Sequence, residues 1–395
     1  MEVYILDSLY RHAAVVDKFE SLIWTERFNS WGDFQLNIVS TSANKQVFLL
    51  GTKLAITDSY RVMVVETVED FTDEEGRALL KITGRSLETI LENRVAMVPG
   101  VISGITYWTK WYYYGTPVEL TTEMFTAICI NGDLNAEDAI SGVTMGSELF
   151  PDDTLPEPTD VLNYQVDPTT VYQATKALCD AYTMGFRFVR NPSTSALYYD
   201  IYMGCDRTTA QTTLPAVVFS PSLDNLKNTT ELNTIALYNN VAYVRYESGA
   251  QVEIVYAPDV DPTVEGFERK ALFINVTSLD EGITTTGEIS DALIQIGTDE
   301  LAKHRRLTSM DGEIAGVNAY RYGTDYNLGD LVEIQDSDGS RSHMRVTEQI
   351  FTSDKEGDRS FPTLTIDQYI TPGSWLDLPA GKVWDDYTTE HWDDL

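Results

Sequence analysis

Histidine and cysteine are scarce in this chain, with four and three among 395 residues. His12, His304, His343 and His391 form no H-E-x-x-H or other metal-spaced pair, which argues against a zinc hydrolase. Cys129, Cys179 and Cys205 are an odd count at wide spacings, without a C-x-x-C pair. They read as buried apolar thiols of a protein made in a reducing cytoplasm, not as a disulfide framework or zinc knuckle. No apolar run is long enough to be a transmembrane helix, and no basic segment followed by an apolar stretch marks a secretory signal at the start. Neither a G-x-S-x-G elbow nor a P-loop occurs. A Cys-His protease would need a pairing that spacing does not reveal, and in so acidic a chain the many carboxylates do not by themselves mark a glycosidase pair. No catalytic, cofactor-binding or metal-ligating residue is therefore assigned, and no enzyme is expected. Positive charge is also in short supply. Lys and Arg number 28 against 61 Asp and Glu, a net charge of -33. Stable binding to nucleic acid or to an anionic membrane needs clustered cations and is excluded.

What is present suits a globular protein of two to four domains, with 43% hydrophobic and 11% aromatic residues. The chain reads as mixed α+β, mainly β. In residues 1–96, Phe34, Leu36 and Ile38 alternate with Gln35 and Asn37, the period of a strand wet on one face. Leu54–Ile56, Val62–Val68 and Leu79–Ile82 follow between turn-rich stretches, as in a small barrel or sandwich, and a short helix fits Ser86–Arg94.

Residues 97–165 form an acidic insertion. Not one Lys or Arg lies between Trp111 and Thr175. Thr116, Pro117 and Glu119 spell a capped helix start, Leu120, Met124, Ala127 and Ile128 share its face, and Gly132 stops it. Phe150 to Pro158 reads as a linker. In residues 166–215, Asp167 caps and Pro168 opens a second helix with a Val171, Thr175, Leu178, Tyr182 stripe ending at Gly185. A hairpin around Asn191-Pro192 completes a small α+β domain. β structure returns in 216–372, with a hairpin about Glu247–Ala250 and a helix at about 286–307. That helix ends in Lys303-His304-Arg305-Arg306, cations suited to its negative pole. Residues 373–395 read as an exposed acidic tail.

An internal repeat runs through both β regions. Gly51, Leu54, Ile56, Asp58 and Ser59 overlay Gly329, Val332, Ile334, Asp336 and Ser337 without a gap. Asp73-x-Glu75-Gly76 then matches Asp354-x-Glu356-Gly357, and Leu80-x-Ile82 matches Leu364-x-Ile366. Three matches in one order indicate a duplicated β module. Three copies of such a chain around an axis would make a ring of six similar modules, so a threefold body could mate with a sixfold tube.

The stretch Trp24-Thr-Glu-Arg-Phe-Asn-Ser-Trp-Gly-Asp-Phe-Gln-Leu-Asn-Ile38, with Gly51 and Ile82-Thr-Gly-Arg-Ser-Leu87, resembles the amino-terminal pattern of tail-hub proteins of long, non-contractile-tailed phages. Pro221–Leu226, Tyr238–Val241 and Asp325–Ile334 resemble that family's second half. The resemblance spans about residues 1–370. It implies two tail-tube-like β-barrel modules related by duplication, with smaller domains, in a homotrimer that closes the tail tube. It further implies a virion location at the tail tip, with a distal tail ring protein, a tape measure protein and a tail fibre or receptor-binding protein as neighbours. The genome would pass through without stable binding, along an acidic wall that repels phosphates. Many relatives carry a long carboxy-terminal extension with a fibre or hydrolase; the end of this chain soon after residue 370 counts against the hydrolase.

Three local features have a second reading. Asp133-x-Asn135-x-Glu137 has the first spacings of a calcium loop, yet position twelve is Thr144 and the glycine at position six is missing, so a helix-exit loop is expected. Asp336-Ser-Asp338-Gly339 is read as a hairpin turn. Tyr107 to Tyr114 holds six aromatic residues that could stack on sugars; a subunit interface is favoured because no polar sugar-binding set accompanies them. The competing functions are thus a tail-associated cell-wall hydrolase and a carbohydrate-binding receptor module.

Overall fold

The computed structural model describes residues 1–365 except 17, 103–104, 147–148, 151–153, 167–168, 248–250, 258–259, 278, 280–282, 284, 305–306, 315–319 and 336–340. The expected carboxy-terminal tail and the Asp336–Gly339 turn therefore lie outside the described residues. Among the described residues no helix is long and apolar enough to cross a membrane.

The first strand unit contains β1 (Val3–Leu6), β2 (His12–Val16), β3 (Ser21–Arg27), β4 (Asp33–Val39), a short helix α1 (Ser42–Val47), β5 (Lys53–Ile56), β6 (Met63–Thr72) and β7 (Ala78–Ser86). Its order is β3-β4-β7-β6-β5-β1-β2, antiparallel throughout. The alternation in β4 does what its period requires: Phe34, Leu36 and Ile38 are buried against Trp24, Leu54, Met63 and Ile82. The expected short helix is a 3-10 turn, Leu87–Asn93.

The central region starts with the hairpin β8 (Met97–Ile102) and β9 (Ile105–Gly115), then α2 (Pro117–Phe125). Thr116 and Glu119 make the expected reciprocal cap of α2. The helix continues as a π-type turn to Asn131 and stops at left-handed Gly132. β10 (Val143–Met145), β11 (Leu162–Val166), α3 (Val171–Tyr182), β12 (Gly185–Arg190) and β13 (Leu197–Tyr202) follow. Asp167 and Pro168 lie outside the described residues, and the cap of α3 is Thr170, whose hydroxyl accepts from the Gln173 amide. At its other end Thr183, in the left-handed region, closes the helix, and Gly185 already belongs to the next strand. Residues from both 97–165 and 166–215 share one core, built on Trp111, Leu120, Phe125, Leu178, Phe186 and Tyr199.

The second strand unit contains β14 (Val218–Phe219) and β15 (Leu226–Thr234). An inserted lobe follows: β16 (Val241–Tyr246), β17 (Val252–Tyr256), β18 (Ala271–Val276) and helix α4 (Thr286–Lys303). β19 (Leu307–Ile314), β20 (Leu331–Gln335), β21 (Arg341–Asp354) and β22 (Gly357–Thr365) complete the unit. Leaving the lobe aside, its order is β15-β19-β22-β21-β20. That is the order β3-β4-β7-β6-β5 of the first unit, with the same chain sequence and the same antiparallel sense. The lobe lies in the chain between β15 and β19 of the second unit.

Two separately closed barrels are not what the described strands form. Both units belong to one 13-stranded sheet whose path has free ends among the described residues. The physical reason lies in β21. It is 14 residues long, and one edge pairs first with β20 and then, from Glu348 to Ser353, with β3. That stretch binds the first unit instead of closing the second.

Candidate functional site: the seam between the strand units

The two strand units match at the level of single hydrogen bonds. Gly51 donates its amide to Val65 (2.8 Å), and Val65 donates to the Thr52 carbonyl (2.8 Å). Gly329 donates to Val346 (2.9 Å), and Val346 to Asp330 (2.9 Å). Both glycines sit at left-handed φ, +83° and +90°, where side chains are disfavoured. The next register shift is also shared, between Val65 and Thr67 and between Val346 and Glu348.

Counting from these bulges fixes the equivalences. Val65 faces Gly84 and Val346 faces Leu364, so Leu364 corresponds to Gly84. The sequence match of Leu80 with Leu364 is therefore out of register. The structural counterpart of Leu80 is Ser360, four residues before Leu364; the intervening turns also differ, Asp73 closing on Arg77 and Asp354 on Gly357, one residue sooner.

At the seam Glu348, Gln349, Ile350, Phe351, Thr352 and Ser353 of β21 pair with Arg27 down to Leu22 of β3. Arg27 reinforces it with a 2.9 Å ion pair to Glu348, and the Phe28 amide donates to Thr347 (2.9 Å). The equivalent stretch of the first unit is Thr67–Thr72 of β6. One edge of it pairs with β7; on the other, β5 reaches only Met63 and Val64. Among the described residues that edge of 67–72 has no strand partner, and the outer edge of β15, the counterpart of β3, has none either. The two edges equivalent to the filled seam thus both lack a strand partner among the described residues.

Beneath the filled seam lies a buried polar network that the sequence reading did not single out. Glu26 of β3 accepts from Trp24 Nε1 (3.1 Å), the Ser59 hydroxyl and the Tyr322 hydroxyl (2.9 Å). Burial raises its carboxyl above the ordinary range, while Arg61 and these donors pull the other way. Arg61 pairs with Glu88, and burial opposes its charge, yet Glu88 and Glu26 outweigh this and keep the guanidinium protonated. Glu88 also accepts from the Phe188 amide (2.7 Å). The network ties both strand units to the central region. A signal did exist in the sequence: Glu26 is in phase with Leu22 and Trp24, so it is a charge on the inward face of a strand. On the far side, buried Asp330 accepts from Arg207 (3.0 Å) and the Cys205 amide (2.8 Å), and Arg345 donates to the Met203 carbonyl (2.6 Å).

The remaining candidates are scattered. His12 stacks on Tyr4 with ring centroids 4.0 Å apart, His304 ends α4 with its ring 3.1 Å from the Leu237 carbonyl, His343 is 3.6 Å from Glu333, and His391 lies outside the described residues. Among the described residues no three His, Cys, Asp or Glu side chains are placed to hold a metal. Cys129, Cys179 and Cys205 are buried and form no disulfide, and burial pushes the Cys129 thiol up to about 12, far from a reactive thiolate. The Asp133–Glu137 segment is a loop in which the Asp133 amide bonds Ala127 and Asn135 opens a 3-10 turn. Lys303 pairs with Glu300, and Arg305 and Arg306 lie outside the described residues. The aromatic run is divided by strand alternation: Trp111 is in the core, while Tyr112 and Tyr114 are 56% and 67% exposed. The side chains of Tyr107 and Trp108 lie outside the description.

Residues 2–365 match the family model of the Siphovirus ReqiPepy6 Gp37-like protein, and the chain belongs to that family. No curated protein matches its sequence. Among solved structures it is similar to the tail protein from Neisseria meningitidis MC58, at 13% identity over 93% of this chain and 96% of that one, with a TM-score of 0.55. It is also similar to the 43 kDa tail protein of prophage MuSo2 from Shewanella oneidensis, at 14% identity over 92% and 98%, with a TM-score of 0.54. The fold is that of phage tail proteins, mainly β with few helices, and the chain is a tail protein of siphovirus type.

Proposed function

We propose that this tail protein is the distal hub of a long non-contractile phage tail, a homotrimer that closes the tail tube and opens for genome ejection. Its role is structural, not enzymatic. The observation that carries this reading is the unfilled seam. Transferring the register of β21 on β3 to the first unit sets Thr67, Val68, Glu69, Asp70 and Phe71 of β6 against Thr234, Asn233, Leu232, Glu231 and Thr230 of β15 in a neighbouring copy. A sheet edge invites such pairing. Three chains would then supply six equivalent units, with seams alternating within and between chains.

Such a ring can mate with a sixfold tube on one side and threefold parts on the other. The neighbours are a distal tail ring protein, a tape measure protein and a tail fibre or receptor-binding protein. Exposed Tyr112 and Tyr114 suit one of these contacts. The excess of acids suits a conduit through which DNA slides without being held. Light scattering on the isolated protein tests the stoichiometry. A mass three times 44.3 kDa is expected; a stable dimer or tetramer would contradict the proposal.

A further inference from the structure

The inserted lobe has one finished face and one open face. Strands β17-β16-β18 form a three-stranded sheet, and α4 covers one side of it, packing Leu293 and Leu301 on Ala242, Val244, Val255 and Ala257. Strand alternation turns the other rows outward. Ile254, Tyr243 and Phe273 lie abreast across the three strands, beside a second row of Val252, Arg245 and Asn275. Ile254 and Val252 are about half exposed, and Phe273 is 64% exposed. An apolar row of this kind on a soluble surface marks a contact site.

Three cations lie at its rim. The Arg269 guanidinium stacks near Tyr243 and Tyr256, 5.7 and 5.5 Å from the ring centroids, and bonds the Tyr243 hydroxyl (2.9 Å). Lys270 lies 5.8 Å from the Tyr238 ring. Among the described residues Arg245, Arg269 and Lys270 have no carboxylate in ion-pairing range, although acids outnumber bases twofold. Acids are present too: Glu247 is bonded to Asn275, and Glu265 and Glu268 belong to the turn that leads into Arg269.

An occupant of matching chemistry is present in the same polypeptide. After Thr365 come 30 residues with seven acids and one lysine. They repeat one short pattern, Trp-x-Asp-apolar or Tyr, three times: Trp375-Leu-Asp-Leu378, Trp384-Asp-Asp-Tyr387 and Trp392-Asp-Asp-Leu395. Where this segment starts also matters. Thr365 pairs with Ser309, two residues from Leu307, and Leu307 pairs with Thr234; these are the two ends of the strands from which the lobe springs. The nine residues before Trp375 can span about 30 Å when extended, and a tether of that length gives an effective concentration on the order of millimolar. Weak motifs suffice under those conditions, and three of them multiply the chance of engagement.

We propose that the open face of β17-β16-β18 is the docking surface for this chain's own acidic, tryptophan-bearing carboxy-terminal segment. The tryptophans pack on the Ile254–Tyr243–Phe273 row and the aspartates meet Arg245, Arg269 and Lys270. The inference is independent of the threefold assembly. Its test is photo-cross-linking in the full-length chain, with benzoylphenylalanine in place of the solvent-exposed Phe273. Cross-links are expected to map within residues 375–395. Their yield should fall about tenfold when Asp385, Asp386, Asp393 and Asp394 are changed to Asn, and likewise with Arg269→Glu plus Lys270→Glu. Cross-links confined to other parts of the chain, or a yield that neither set of changes moves, would overturn the proposal.

Discussion

Arg61 and Glu88 are each at most 5% exposed, so their pairing is a matter of stability rather than of surface decoration. Removing one partner strands the other charge in the interior. Arg61→Ala should therefore cost about 3–5 kcal/mol, measured as a fall in the denaturant midpoint. Asp299 on α4 gives a second residue-level test. Burial pushes its carboxyl up to about 6, against the pull of the Gln295 hydrogen bond and Lys303. Gln295 also reaches the Tyr182 hydroxyl of α3, and Tyr164 and Glu300 are the other titratable groups near Asp299. The native state thus holds this proton more tightly than the unfolded chain, so stability falls as pH rises from 3.8 towards about 6. Asp299→Asn should flatten that part of the profile; an unchanged slope between about pH 4 and pH 6 would refute the assignment. Legibility at this scale depended on how local the chemistry was. Thr116 and Glu119 were readable as a cap because partner and distance lie within one turn. Glu26, Arg61 and Glu88 meet Tyr322 only after the two strand units have packed.

At the level of elements the repeated Gly51 and Gly329 turns share backbone geometry but not surroundings. A Cβ on Gly51 would meet open space; on Gly329 it would lie 2.7 Å from Phe28 and 3.0 Å from Tyr202. Gly51→Ala should cost about 1–2 kcal/mol for the left-handed conformation alone. Gly329→Ala should exceed that by about 1 kcal/mol or more through overpacking, so thermal denaturation of the two variants separates the terms. Equal losses would mean that the second turn relaxes freely. The Gly51 and Gly329 matches were legible because a tight turn constrains sequence. The Leu80 match was misplaced by four residues, an even shift that leaves the strand alternation unchanged and so is invisible to apolar periodicity. The aromatic run misled in another way: Trp111 and Tyr112 are neighbours in sequence but lie on opposite faces of β9.

For the whole molecule, the likeness of the two strand-rich regions was within reach of sequence comparison, and their joining in a single sheet was not. Whether β21 closes its own unit or binds β3 depends on which edges meet, and alternation of apolar residues carries no information on that. The same geometry makes the assembly claim specific. The Phe351–Trp24 pair within the chain has its counterpart in Asp70 and Glu231 on different chains. The most direct measurement is disulfide formation in a protein carrying Asp70→Cys with Glu231→Cys, under mild oxidation. The account predicts covalent species up to the trimer that neither single variant gives. A double variant that stays monomeric on non-reducing gels, while light scattering finds it assembled, would contradict the β6–β15 seam.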